Sequence, residues 1–482
     1  MRYAERLSFK GCWWGALAAW LALAGGWAGA AESGPAASGG ATLADVAVLD
    51  LAAAKRIAVA GSPNLAAAVE RVRQAEERVR QARAAYWPFV DAGGSTVRTE
   101  LSNNAARSRL AAERSLNLNP TVASADPETL YRAELAAGWT IFDGFRRWFE
   151  NARVRFGELE NRSALDEARR LLLLSVAGGY YAAQLAREDL TIARADEAFN
   201  LRQSEEARAR RRAGSGSLSD VLNFEVQVNA ARSAINDAER QYTLARIGLA
   251  VLMGLPEAMI PETLELAALP TESASDLVLP EADSLIGFAE NHRPDLMESL
   301  YRLQQSTAGI GVARSDFFPG LSLQGSLDGL REDNGRFEGD DFGNSIGVYM
   351  TYNLFAGGAT RARVAEARAG AREAERTLAA LRITVVSEVR EALANLQASQ
   401  RELRLQQQNA ALVQQNRDLV EKEYAAGQAS LVRLNEAQRN LTQARGRLAL
   451  ARVALRQSWE RLEAATGRNL LDSAAAHPGG MR

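Results

Sequence analysis

Phe142-Asp143-Gly144 and Phe355-Ala356-Gly357 stand 213 positions apart in a chain of 482 residues, each closing a strand-like run and opening a proline-free one. The same register joins Gly214-Ser215-Gly216-Ser217-Leu218 to Gly427-Gln428-Ala429-Ser430-Leu431. Nearer the start of each half the offset is 231: "SPNLAAAVERV" from Ser62 matches "RPDLMESLYRL" from Arg293, and Pro88 matches Pro319. The 18-residue difference falls between Pro88 and Phe142, as extra loop in the first half. Chance does not hold a register over such spans, so the chain is a tandem duplication and must fold as two like units.

Each half reads as helix, strand, loop, strand, very long helix, small-residue break and long helix. Pro88 and Pro319 mark the helix-to-strand changes, because proline ends a helix and holds its predecessor extended. Gly144, Gly357 and Gly358 mark the return from strand to helix, where a residue without Cβ tolerates backbone angles that others resist. The stretches Arg146–Arg212 and Ala359–Ala425 each read as one helix of about 65 residues, roughly 100 Å long at about 1.5 Å per residue. That length belongs to elongated coiled packing, with hairpin tips at Gly214 and Gly427.

The strands alternate strictly. Ile346, Val348, Met350, Tyr352 and Leu354 share one face, opposite Gly347, Thr351 and Asn353. Leu135, Ala137, Trp139 and Ile141 alternate with Glu134, Gly138 and Thr140. Period two with apolar residues outside and polar ones inside fits a membrane barrel; a half-buried sheet in a soluble domain gives the same pattern. Tyr86, Trp87, Phe89, Phe317 and Phe318 gather at the helix-to-strand changes, the level at which a membrane interface takes up aromatic rings. One chain offers four strands, whereas bacterial membrane barrels start at about eight. Bare sheet edges do not sit in lipid, so strands that span a membrane require several chains to share one barrel, and three chains supply twelve.

The first residues carry Arg2, Arg6 and Lys10, followed by an uncharged run ending in Ala28-Gly29-Ala30. Residues 1–30 read as a secretory signal and 31–50 as a flexible mature N-terminus. Cys12, the one cysteine, lies within the signal, so the mature chain has no disulfide or thiolate metal site. Lys and Arg number 57 against 59 Asp and Glu, which gives no electrostatic case for nucleic acid.

Taken together, "NLAAAVERVRQAEERVRQARAAYWP", the Phe-x-Gly joints, "YYAAQLAREDL" from Tyr180 and the two Gly-x-x-Ser-Leu breaks resemble the TolC-like outer-membrane efflux proteins, from about Leu51 to Gly467. The resemblance implies a mainly α fold with a membrane β-barrel: a homotrimer whose 12-stranded barrel, four strands per chain, continues as a long α-helical tunnel through the periplasm. It implies repeats at 51–255 and 294–467, an equatorial segment at 256–293 shared with a tail at 468–482, and no cofactor. The implied partners are outer-membrane lipid, a periplasmic adaptor and an inner-membrane efflux pump or ABC transporter. The implied function is the exit channel of a tripartite export system, or the outer component of type I protein secretion. The family's periplasmic gate positions fall on Asp220, Tyr424 and Glu436, with Arg433 where relatives often carry another acid. Arg433 would weaken cation preference, or pair with Glu436 or Asp220 and hold the gate shut. Solvated charges at a hairpin tip are the plainer reading of the same residues.

Other functions fare worse. A periplasmic coiled-coil adaptor shares the long hairpins, but not the alternating strands in both halves. His292 and His477 have no metal or triad partner at recognisable spacing. "GSGSLS" at 214 fails the dinucleotide-binding pattern, since Ser219 stands where the last glycine belongs. The carboxylates sit among Arg and Gln at helical spacing, as solvated helix faces do. The sequence offers no catalytic site.

Overall fold

A computed structural model describes residues 48–105, 107, 108, 111, 128–332 and 334–471. The expected signal at 1–30, nearly all of 31–50, much of the extra first-half segment between Pro88 and Phe142, His477 and most of the 468–482 tail lie outside them.

The described chain runs β1 (Val48–Leu49), α1 (Leu51–Gly61), α2 (Pro63–Ala84), β2 (Phe89–Thr99), β3 (Glu128–Phe142), α3 (Arg146–Arg212) and α4 (Leu218–Leu252). It continues as β4 (Glu265–Leu266), α5 (Ala282–His292), α6 (Pro294–Ser315), β5 (Gly320–Glu332), β6 (Phe342–Thr351), α7 (Ala359–Ala425) and α8 (Leu431–Thr466). The two long helices, α3 and α7, both have 67 residues. α1 and α5, each of 11 residues, stand 231 positions apart, so the duplication reaches back as far as Ala282. The β2–β3 connection spans 100–127 and its counterpart only 333–341, which locates the length difference between the halves.

β2, β3, β5 and β6 form one antiparallel sheet in that order, open at both edges. Facing residues form rows that confirm the alternation: Val90, Ala137, Gly325 and Ile346 in one row, and Asp91, Ala136, Ser326 and Ser345 in the next. One face is therefore apolar and exposed, carrying Trp139, Ile346, Val348 and Met350. The other carries a polar ladder in which Ser326 and Ser345 lie 2.9 Å apart. A register shift between Thr140 and Phe142 lets the ladder end as the chain turns toward α3.

Below the sheet α3 packs on α2, α4, α6 and α8, and α7 packs on α6 and α8. Ser62 caps α2, whose first residue is Pro63, so the sequence both starts and orients that helix. A first core lies midway down, where Leu49, Ile57, Val176, Tyr180, Leu249 and Leu266 are buried. Each such aliphatic side chain contributes about 1.5–3 kcal/mol. Here β1 and β4 form a short parallel pair. The Tyr180 hydroxyl donates to the Leu49 carbonyl at 3.1 Å, and the Gln184 amide donates to the Ala267 carbonyl at 2.9 Å. Burial pushes the Tyr180 phenol up to about 12, so it remains a donor. On the second half the 256–293 segment is bound by ions: Glu272 pairs with Arg452 at 2.8 Å and Asp276 with Arg456 at 3.0 Å.

Arg293, 2% exposed, is the N-cap residue before α6. It pairs with Asp295 at 2.7 Å and Glu388 at 2.5 Å, and donates to the Ala465 carbonyl at 3.0 Å. One side chain thus ties α6 to α7 and to the end of α8.

Candidate functional site

Two regions carry the residues singled out from sequence: the joints at the sheet and the tips of the hairpins. Pro88 and Pro319 each stand between the turn after a helix and the first residue of a strand. Gly144, Gly357 and Gly358 all have positive φ, at 68°, 60° and 86°. Gly144 is also closely packed, since a Cβ there would lie 2.5 Å from the Ser315 carbonyl oxygen. The cap of α3 is Phe145, left-handed at φ 67°, in the place that Gly358 holds for α7. Its ring makes edge-to-face contacts with Phe142 at 5.3 Å and Phe318 at 6.2 Å. Asp143 accepts the Arg147 backbone N–H at 3.1 Å and pairs with its guanidinium at 3.0 Å, which supports the first turn of α3.

At the far end, Gly214 and Gly427 have φ 77° and 75°. Each sits just past the end of its long helix, its N–H returning to Arg211 or Tyr424 at 3.0 Å. Three residues later a serine caps the next helix: Ser217 accepts the Ser219 N–H, and Ser430 the Arg433 N–H. Gly-x-x-Ser-Leu is thus a helix stop followed by a helix start, which explains both "GSGSLS" and its partner.

The tips of the two hairpins share a core of Phe199, Val221, Phe224, Val420, Leu434 and Ala437. Tyr424 packs on its edge, 6.3 Å from the Phe224 ring, with the Arg210 guanidinium 5.1 Å from its own centroid. Burial, reinforced by the Asp220 charge and opposed by Arg210, raises the Tyr424 phenol above its ordinary value. The Asp220 charge thus acts on the Tyr424 phenol, with no direct bond between them among the described residues. Asp220 lies in the first turn of α4, where a carboxylate favours the helix dipole. Arg433 pairs with Glu423 at 3.2 Å, on its own hairpin, rather than with Glu436 or Asp220. Glu436 is exposed on α8. Among the described residues neither Asp220 nor Glu436 has an ion-pair partner.

Arg210 and Glu423, which sequence reading passed over, occupy matching positions 213 apart with opposite charge. That sign change between otherwise matched helix ends is the signal that would have found them. The described residues hold no cluster of three metal-ligating side chains. His292 stacks on Phe288 at 4.0 Å. No described helix is long and apolar enough to cross a membrane.

The comparison with known proteins decides among the channel, scaffold and soluble readings. The profile of the outer membrane efflux protein family matches residues 56–255 and 285–468. The chain belongs to that family. It is 30% identical over 437 residues to protein CyaE of Bordetella pertussis, covering 88% of this chain and 85% of the relative. It is 28% identical over 422 residues to the pyoverdine export outer membrane protein OpmQ of Pseudomonas putida, covering 85% and 84%. The fold matches the CmeC outer membrane channel of Campylobacter jejuni with a TM-score of 0.70 at 18% identity, over 86% and 85% of the two chains. This outer membrane efflux protein is therefore an outer-membrane exit channel for export, and its helical part extends into the periplasm.

Proposed function

We propose that three copies of the chain close one twelve-stranded barrel, and that the joined hairpins form a tunnel gated at its periplasmic tip. The carrying observation is the open four-stranded sheet with one exposed apolar face, continuous with helices of 67 residues. An open sheet cannot remain in lipid with unpaired edges, and copies of itself are the economical cover. The channel is passive and performs no catalysis. A periplasmic adaptor and an inner-membrane pump or ABC transporter deliver the cargo. The cargo is a small molecule, as for the relative named for pyoverdine export, or a protein secreted by a type I system.

Asp220 and Tyr424 are placed in this reading as the contacts that hold the tips closed, and Glu436 as an acidic residue at the mouth. Arg433, engaged with Glu423, lies beside that mouth and moderates its cation preference. The test is conductance in planar bilayers of particles extracted from outer membranes. Asp220→Asn combined with Tyr424→Phe should raise conductance while native mass stays at three chains. Unchanged conductance removes the gate assignment, and a monomeric mass removes the shared barrel.

A further inference from the structure

Inside one chain the first half touches the second along a continuous seam, and the duplication supplies a rule for repeating that seam between copies. A contact from the first half to the second becomes a contact from the second half to the first half of a neighbour. The first-half residue moves up 213 positions, and a second-half residue on α6 or β5 moves down 231.

The rule meets independent support on the helices above the midpoint. Within the chain, Arg302 of α6 pairs with Glu160 of α3 at 2.8 Å. The corresponding residues are Arg71 of α2 and Glu373 of α7, again opposite in charge, and neither has an ion-pair partner among the described residues. One turn away, Gln305 reaches over Gly157, where a Cβ would lie 2.7 Å from its amide nitrogen. The corresponding residues are Gln74 and Gly370, and Gly370 has nothing within 4 Å of its Cβ position. A glycine in mid-helix destabilises the helix relative to alanine. Nothing among the described residues accounts for Gly370, but a neighbour's Gln74 does.

Exposed apolar residues agree. The contact of Gly144 with Phe318 translates into Gly357 against Trp87, which is 76% exposed. Lower down, Arg170 of α3 donates to the Ala464 carbonyl of α8 at 2.6 Å. With 213 as the offset for both hairpins, that contact translates into Ile383 on Val251, which are 74% and 59% exposed.

We infer that α7 and β6 of one copy dock onto α2, α4 and β2 of a second copy, with Glu373 on Arg71, Gly370 on Gln74 and Val348 opposite Thr96. The strand register follows from the Leu135–Leu327 pair. It also accounts for the early end of β6 at Thr351, whereas β3, paired on both sides, continues to Phe142. This inference rests on the assembly reading above and adds to it which surfaces meet and in what register.

The test is oxidative cross-linking of the full chain in outer membranes, in a Cys12→Ser background. Thr96→Cys with Val348→Cys places facing residues about 5 Å apart, within disulfide reach. Gln74→Cys with Gly370→Cys tests the helices. Both double variants should give covalent bands of two and three chains, and the single variants none. Gly94→Cys with Val348→Cys, shifted by two residues on the same face, should give far less. An intact native mass with the shifted pair linking best, or with neither predicted pair linking, overturns this register and leaves the assembly standing. A monomeric native mass overturns both.

Discussion

Phe145 holds a backbone conformation that costs an L-residue about 1–2 kcal/mol, and its two ring contacts, at about 0.5–1.5 kcal/mol each, offset that cost. Its neighbour Gly144 has no such margin, because any side chain there meets the Ser315 carbonyl as well as the positive φ. Gly214 carries the positive φ alone, in open space. Gly144→Ala should therefore lower the thermal midpoint well beyond Gly214→Ala, whose cost is about 1 kcal/mol; equal shifts in a melting experiment would refute the packing argument. Tyr424 supplies a pH prediction. Its folded pKa is raised by burial and by Asp220, so the protonated phenol is favoured in the folded tip. That contribution is complete below the ordinary tyrosine value of about 10 and is lost as pH climbs through the folded value. Asp220→Asn should move the Tyr424 transition downward in a tyrosinate absorbance titration.

Among the elements, the long helices, their breaks and the four strands were legible from periodicity and punctuation, because Pro88, Pro319, Gly144, Gly214 and Gly427 each impose a local backbone constraint. The midpoint was not. The β1–β4 pair is two residues long on each side, too short for any alternation, and from α3 Tyr180 donates to its Leu49 carbonyl and Gln184 to the Ala267 carbonyl just past β4. Arg293 appeared in the sequence only as the residue before a proline, and its role depends on Glu388, 95 positions away. Nothing local announces such a pairing. At the tips, sequence placed Tyr424, Asp220 and Arg433 near one another but left the partner of Arg433 open, since which carboxylate it meets depends on hairpin rotation. Arg293→Met should destabilise the chain by about 2–4 kcal/mol, because it leaves Asp295 and Glu388 without their cation, with Glu388 still partly hydrated. Denaturation followed by circular dichroism checks this; a loss under about 1 kcal/mol would show that the three-way tie contributes little.

For the whole molecule the faces of the sheet set the environment it enters. Val348 lies on the apolar face and Ser345 on the polar one. An arginine on the lipid face of a barrel costs about 2–4 kcal/mol near mid-bilayer, whereas one facing water costs little. Val348→Arg should lower the unfolding free energy measured in bilayers by that amount and Ser345→Arg should not; the reverse order would invert the sheet.

The equal length of α3 and α7 restricts how such a molecule can change size. One residue inserted into α3 alone would lower one tip by about 1.5 Å and rotate everything beyond it by about 100°, putting it out of step with its twin. Insertions tolerated by both hairpins must come as near-whole turns, in duplicate, and on both legs of each hairpin. Reach across the compartment can thus be altered only in coarse, coordinated steps, whereas the connections at 100–127 and 333–341, bound by no such match, differ in length within a single chain.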